Sequence, residues 1–176
     1  MMDANEREVY RAAIQGDREA FEMIIRTHSR PLFAIAYGIL QNREEAEDAV
    51  QDALVKAWKS RWRVRDPEKF PAWLCMIARH RARDVFRKRR TISFAHETHE
   101  SERNDGPDLD RQLHAALAAL PEIHRTAISL RYFEEMDYAT IENRLGLTNG
   151  SLRGILGRAL ASMRKQLKPA LASEQS

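Results

Sequence analysis

Residues 70–90, FPAWLCMIARHRARDVFRKRR, place the strongest limit on what this chain can fold into. Phe70, Trp73, Leu74, Ile77, Ala78 and Val85 recur three or four residues apart, which puts them on one face of an α-helix and fits no strand. The other face turns basic as the helix proceeds: Arg79, Arg81, Arg83, Arg87, Lys88, Arg89 and Arg90 are opposed by Asp84 alone. Cations near a helix C-terminus are favoured by the macrodipole. Stacking one sign of charge over three turns goes further than that, because solvated helix faces ordinarily alternate sign. The stretch reads as a polyanion-binding helix locked to a core by its own aromatic start.

The rest of the composition narrows the class. A length of 176 residues allows one domain or two small ones, and 43% hydrophobic with 31% charged residues describes a soluble folded chain. The formal net charge is only +3, so the segregation of charge says more than the pI of about 9.2. The single cysteine, Cys75, cannot form an internal disulfide and sits among apolar neighbours; it reads as a small core residue in a reducing compartment. The first residues, MMDANEREVYR, lack an apolar signal core. The longest apolar-rich run, 31–40, is about half of the roughly 20 residues a membrane span needs. A cytoplasmic protein without membrane insertion is expected.

Taken in order, the chain opens with a helix over 5–15 that turns Val9, Ala12 and Ala13 inward, stops at Gly16, and hands over to Asp17 as the next N-cap. The second helix carries Phe21, Ile24, Ile25 and His28. After Pro31, a candidate first-turn position, the pattern resumes through Leu32, Phe33, Ile35, Ala36, Ile39 and Leu40. His28 lies on the apolar face with no partner at metal spacing and reads as a core histidine. Asn42 caps a third helix whose buried stripe is Ala46, Ala49, Val50, Ala53, Leu54, Ala57 and Trp58. Glu44, Glu45 and Glu47 in its first turns suit the helix dipole. Asp52 lies too far in for that account. An acidic helix face close to a basic one points to two different partners, one protein and one nucleic acid.

Lys59, Arg61, Arg63 and Arg65, with Trp62 among them, form a connection ending at Asp66-Pro67. Rings interleaved with cations suit unstacked bases, which stack on the aromatics while phosphates meet the charges. Trp58 and Trp73 are expected to pack against each other. Beyond Arg90 the composition reverses: residues 91–110 hold six carboxylates against Arg103, with Gly106-Pro107 inside, and read as a linker. His96 and His99 lie there at i, i+3 spacing but make a poor metal cage, and no metal site is expected.

A second helical unit starts near Leu109. Leu113, Ala116, Leu117 and Leu120 form one stripe ending at Pro121; Ile123, Ala127, Ile128 and Leu130 form another. Residues 138–145, a turn at Gly146, and a helix entered through Thr148 match a helix-turn-helix, with Ile141, Leu145, Leu147, Leu152 and Leu156 as its packing positions. Ser151, Arg153, Gly154, Gly157 and Arg158 would face a major groove. From Asn143 to Ser173 the chain has no acidic residue, whereas Arg144, Arg153, Arg158, Arg164, Lys165 and Lys168 are basic.

The order and spacing of these segments resemble the extracytoplasmic-function class of bacterial sigma factors over nearly the whole chain. GDREAFEMIIRTHSRPLFAIAYGIL, AEDAVQDALVKAWK, the 70–90 stretch and LAALPEIHRTAISLRYFEEMDYATIENRLGLTNGSLRGILGRALASMRKQL carry the likeness. It implies an all-α chain of two small helical domains joined by a flexible linker, the second a helix-turn-helix, with no catalytic site and no cofactor. The expected bounds are 1–90, a linker over 91–108, 109–170, and a tail over 171–176. The resemblance implies that Asp48, Gln51 and Asp52 dock on the clamp helices of core RNA polymerase. The family usually has Gln-Glu where this chain has Gln51-Asp52. By the same likeness, Arg61, Trp62, Arg65, Arg79, His80, Arg83, Arg87 and Lys88 read and help melt the −10 promoter element. His80 stands where the family often has Asn. Ser151, Arg153, Gly157 and Arg158 would read the −35 element. An anti-sigma partner is implied by the family only.

The last helix departs from the family's Thr-Val-Lys-Ser-Arg-Leu run: here it reads Ser151-Leu152-Arg153-Gly154-Ile155-Leu156. Gly150, Gly154 and Gly157 share one helix, and each interior glycine costs roughly 0.8–1 kcal/mol relative to alanine. The helix is expected to survive through packing. With Ile155 in place of Arg and Gly154 in place of Ser, weak or unusual −35 recognition is expected, carried mostly by Arg153 and Arg158. Two other functions compete with a promoter-specificity subunit. An autonomous helix-turn-helix regulator would leave the acidic face at 48–52 without a role. A metal-dependent nuclease would need more than His80 and Asp84, one helical turn apart amid arginines.

Overall fold

The computed structural model describes residues 3–93 and 108–173, which form eight α-helices and no strand among the described residues. The local signals at the start behave as expected. Helix α1 (Ala4–Gln15) opens on a reciprocal capping box between Asp3 and Glu6 and closes at Gly16, whose φ of 105° suits a residue without a Cβ. Asp17 caps α2 (Arg18–Leu40) by accepting the Ala20 amide at 2.9 Å. Pro31 does not begin a helix: α2 runs unbroken through it for 23 residues. The lost amide donor is outweighed because this helix buries residues on several sides, Phe21, Ile24, Leu32, Ile35, Ile39 and Leu40 among them.

Asn42 caps α3 (Arg43–Ser60) by accepting the Glu45 amide. Two 3₁₀ turns, Arg61–Arg63 and Pro67–Lys69, lead into α4 (Phe70–Ser93). Ala46, Ala49, Ala53 and Ala57 are fully buried or nearly so, and these small side chains let α3 lie close against α2 and α4. Phe70, Leu74, Cys75 and Ala78 complete this first core. Each large apolar side chain buried there contributes about 1.5–3 kcal/mol. Trp58 and Trp73 each find a different partner from the one expected: Trp58 meets Phe21 at 5.0 Å between ring centroids and Trp73 meets Phe70 at 5.2 Å.

The second unit comprises α5 (Asp108–Ala118), α6 (Glu122–Ile128), α7 (Tyr138–Leu145) and α8 (Asn149–Ser173). Helix α6 relaxes into one wider turn, Ser129–Phe133, where the Glu134 amide reaches back five residues to the Ser129 carbonyl. Ala116, Leu120, Leu130, Ile141, Leu145, Leu152 and Leu156 form the second core. Gly146 turns the chain with φ 67° between α7 and α8, as a helix-turn-helix requires. Helix α8 is continuous across its three glycines. The expected linker falls mostly outside the described residues, as do His96 and His99; α4 runs to Ser93, three residues past the expected boundary.

The two units touch. Helix α6 rests on α2 and α7 on α4. At the first contact Gly38 is required: a Cβ there would lie 2.7 Å from Thr126 Oγ1 and 3.3 Å from its Cα. No helix among the described residues is long and apolar enough to cross a membrane.

Candidate functional site

On α3 the acidic residues divide into two groups. Glu47 is held by Arg43 at 2.9 Å, and Glu45 by Arg89 of α4, also at 2.9 Å. Glu44, Asp48 and Asp52 are exposed and carry no ion pair among the described residues; Glu44 sits in the first turn, and Gln51 is exposed beside Asp52. One turn further along the same face Val55 is 54% exposed, an apolar residue that the sequence reading passed over. Two free carboxylates, an amide and a bare aliphatic side chain thus line one stripe of a helix held rigidly at its back.

The connection after α3 separates its residues by role. Val64 is buried and anchors the loop, which leaves Trp62 67% exposed with the Arg63 guanidinium 5.3 Å from its ring. Arg65 is exposed. Arg61 is engaged internally: its guanidinium stands 4.1 Å over Trp58, lies against Gly16, and donates to the Trp58 carbonyl at 2.7 Å. That leaves it holding the loop in place.

On α4, His80, Arg83 and Arg87 share one exposed face, and Met76, 45% exposed, extends it by a turn. Met76 was legible in the sequence as the position one turn before His80. Arg87 pairs with Asp84. Arg81, Asp84, Arg87, Lys88 and Thr91 line an open basin of about 440 Å³. Arg79 is half-buried, and burial together with the neighbouring Arg83 charge lowers its pKa. Arg83 is bound across the domains: its Nη2 and Nε donate to the Glu122 carboxylate of α6 at 2.8 and 3.2 Å.

In the helix-turn-helix, Asp137 caps α7 through the Thr140 amide and hydroxyl, and the hydroxyl bond foremost lowers its carboxyl pKa. Ser151, Arg153, Gly157 and Arg158 are all exposed on α8. Arg153 is positioned: it donates to Asn149 Oδ1 at 2.8 Å, and its guanidinium stands 5.5 Å from the Tyr138 ring. The Arg158 guanidinium lies over Gly154, where a Cβ would come within 3.1 Å of it. Ile155 is buried at 6% exposure, so the position that the sequence reading weighed as a missing arginine belongs to the core.

Sequence reasoning missed a further cluster where the units meet. Arg144 of α7 lies close enough to Cys75 and His28 of the first unit to act on both, and its Nη1 is buried without a hydrogen-bond partner among the described residues. His28 is buried and shares a 2.6 Å hydrogen bond with the Tyr10 hydroxyl. Burial, with Arg144 second, pulls the His28 pKa down to about 4, and burial pushes Tyr10 up to about 12. Burial also raises the Cys75 thiol. Arg125 donates to the Gly38 carbonyl and, at 2.9 Å, to those of Ala118 and Leu120.

Comparison with known proteins agrees with this layout. The family described as Sigma-70 region 2 matches residues 24–92, and that described as Sigma-70, region 4 matches residues 110–163. RNA polymerase sigma factor SigV of Bacillus subtilis is 34% identical over 146 residues, covering 81% of this chain and 88% of that protein. ECF RNA polymerase sigma factor SigW of the same organism is 25% identical, covering 88% and 92%. Among solved structures, CnrH in complex with the cytosolic domain of CnrY superposes with a TM-score of 0.70 at 25% identity, covering 93% of this chain and 97% of that one. The sigma factor RpoE of Bartonella quintana, in complex with the anti-sigma factor NepR, shares the fold with a TM-score of 0.64 at 24% identity, covering 84% and 96%.

Proposed function

This chain belongs to the sigma-70 family of RNA polymerase sigma factors, and from that premise we propose how its surfaces divide the work of initiating transcription. The stripe Asp48, Gln51, Asp52 and Val55 docks on core RNA polymerase. Trp62, Arg65, Arg79, His80, Arg83, Arg87 and Lys88 take the −10 element, with Arg61 holding the loop that presents Trp62. The exposed ring offers a stacking platform for an unpaired base, and the cations on α4 follow the phosphates. Ser151, Arg153, Gly157 and Arg158 enter the major groove at the −35 element. The chain acts in the cytoplasm, where core polymerase is, and an anti-sigma protein is a further partner.

The observation that carries this reading is the unpaired carboxylates of Asp48 and Asp52, which lie beyond the first turn of α3, where the helix dipole accounts for the similarly unpaired Glu44. Every other element would also serve an autonomous helix-turn-helix regulator. Neighbouring Glu45 and Glu47 are satisfied within the protein, whereas Asp48 and Asp52 face solvent on a helix packed directly against the basic α4. Neither domain needs high affinity for DNA by itself, because the polymerase supplies effective concentration. Reconstitution of purified core polymerase with this chain should give promoter-dependent transcription. Asp52→Arg should abolish it with an unchanged helical circular-dichroism spectrum. Repression or cleavage of DNA by the isolated chain would overturn the reading.

A further inference from the structure

Glu142 is out of place by charge. It is the last acidic residue before the carboxylate-free stretch 143–173, and it stands on α7 beside the helix proposed to enter the duplex. A carboxylate there repels the phosphates it approaches and lowers affinity for every sequence alike. Its side chain is engaged in one place. Glu142 Oε1 accepts from Asn149 Nδ2 at 2.7 Å, and Asn149 Oδ1 accepts from Arg153 Nε at 2.8 Å.

This relay has one sense only. A carboxylate accepts and a guanidinium donates, so an amide between them must turn its nitrogen to Glu142 and its oxygen to Arg153. Asn149 cannot flip while Glu142 holds it. Tyr138 confines the guanidinium further: its ring centroid lies 5.5 Å from Arg153 Cζ. Arg131 stands 5.3 Å from the same ring and is itself fixed by donating to the Met136 carbonyl at 2.9 Å. Arg153 Nε is therefore used inside the protein. Its Nη1 and Nη2 make no hydrogen bond among the described residues, on a side chain that is exposed.

Two terminal nitrogens presented end-on match the O6 and N7 acceptors of a guanine in the major groove. Adenine puts its N6 donor where guanine has O6, so a guanidinium held still meets two opposed donors there. An untethered arginine would swing to a neighbouring phosphate and tolerate either base. Tethering thus adds a penalty against the wrong base to the attraction for the right one.

We propose that Glu142 and Asn149 are positioning residues that aim Arg153 end-on at a single guanine of the −35 duplex, and that this relay sets the base preference at that position. Placing α8 in a major groove rests on the proposed function; the relay itself rests on contacts between α7 and α8.

The full-length chain, with Arg153 exposed, is mixed at low salt with duplex DNA randomised over ten base pairs, and the bound fraction is sequenced. The native chain should enrich guanine over adenine at one position on the order of ten-fold or more, the range of a good bidentate contact. Glu142→Ala should lower that preference on the order of two- to ten-fold, the ordering cost of one long side chain, and leave the other positions unchanged. Glu142→Gln removes the same charge but keeps an oxygen to accept from Asn149, so it should retain the native preference. Both variants should gain the same overall affinity, because both remove the repulsion. If Glu142→Ala relaxes every position together, the helix pair has merely loosened and the relay is overturned. Gln behaving as Ala overturns it too, since the effect would then trace to charge. A guanine preference undiminished in Glu142→Ala refutes the relay and leaves the groove assignment standing. If the native chain enriches no sequence, the groove assignment falls and the role of the relay falls with it.

Discussion

Lowering the pH should weaken this protein through His28 before its carboxylates begin to titrate. The ring is 2% exposed, bonded to the Tyr10 hydroxyl, and acted on by the charge of Arg144 of α7. Burial foremost, and the Arg144 charge after it, bring its pKa down to about 4 from 6.5. Between those values the unfolded chain binds a proton that the folded chain refuses, so stability rises with pH across the window and is lost as pH falls through it. The full difference of about 2.5 units corresponds to a ceiling of about 3 kcal/mol, at about 1.4 kcal/mol per unit. About 2 kcal/mol of it should already be gone at pH 5. Urea unfolding at pH 7.5, 6.5, 5.5 and 5.0 measures this directly; with slopes of about 1–3 kcal/mol/M, the midpoint should drop by on the order of 1 M. His28→Gln retains a partner for Tyr10 and cannot titrate, so its midpoint should vary less over the same range. His124, whose pKa is also lowered, chiefly by burial, contributes equally to both chains and cancels in the comparison. An identical pH dependence in the native chain and in His28→Gln would refute the reasoning.

Trp62→Ala should leave the melting temperature unchanged, since the ring is 67% exposed, yet weaken binding of single-stranded −10 DNA by polymerase holoenzyme by about 1–3 kcal/mol per stacked base. Arg153→Ala should reduce affinity for −35 duplex by about 1–3 kcal/mol, measured by fluorescence anisotropy against a scrambled duplex. Gly157 is exposed in the interior of α8, and an added Cβ would meet nothing within 4 Å, so Gly157→Ala should raise unfolding stability by about 0.8–1 kcal/mol. A loss of −35 binding by that same variant would show that close approach to the groove needs the glycine.

Much of the architecture was written in short-range signals. Asp17, Asn42, Gly16 and Gly146 mark helix ends because each satisfies backbone groups within its own turn, and all four occupy those positions. Pro31 misled because its local cost of about 3 kcal/mol is set against burial along the whole of α2, which no window around it reports. The partners of Trp58 and Trp73 depended on how α3 crosses α2 and where α4 begins, so helical periodicity could place the rings inside without saying which rings meet. Arg61 and Arg89 resembled their basic neighbours in sequence. One stacks on Trp58 and the other joins Glu45 and the Leu40 carbonyl, contacts that only the tertiary fold creates. Ile155 was weighed as a missing contact to DNA, although its spacing from Leu152 and Ala159 places it on the inner face. The meeting of the two units left the faintest trace, a glycine inside an apolar helix and an arginine hidden in a run of cations.

Arg89 has one more implication. By joining Glu45 while its helix packs along α3, it makes the surface proposed to meet an enzyme and the surface proposed to meet nucleic acid two sides of a single stiff block. Whatever grips the first sets the tilt at which the second arrives, with no hinge between them to absorb an error. Changes at the grip would therefore be felt as shifts in where strand separation begins, and not merely as weaker assembly.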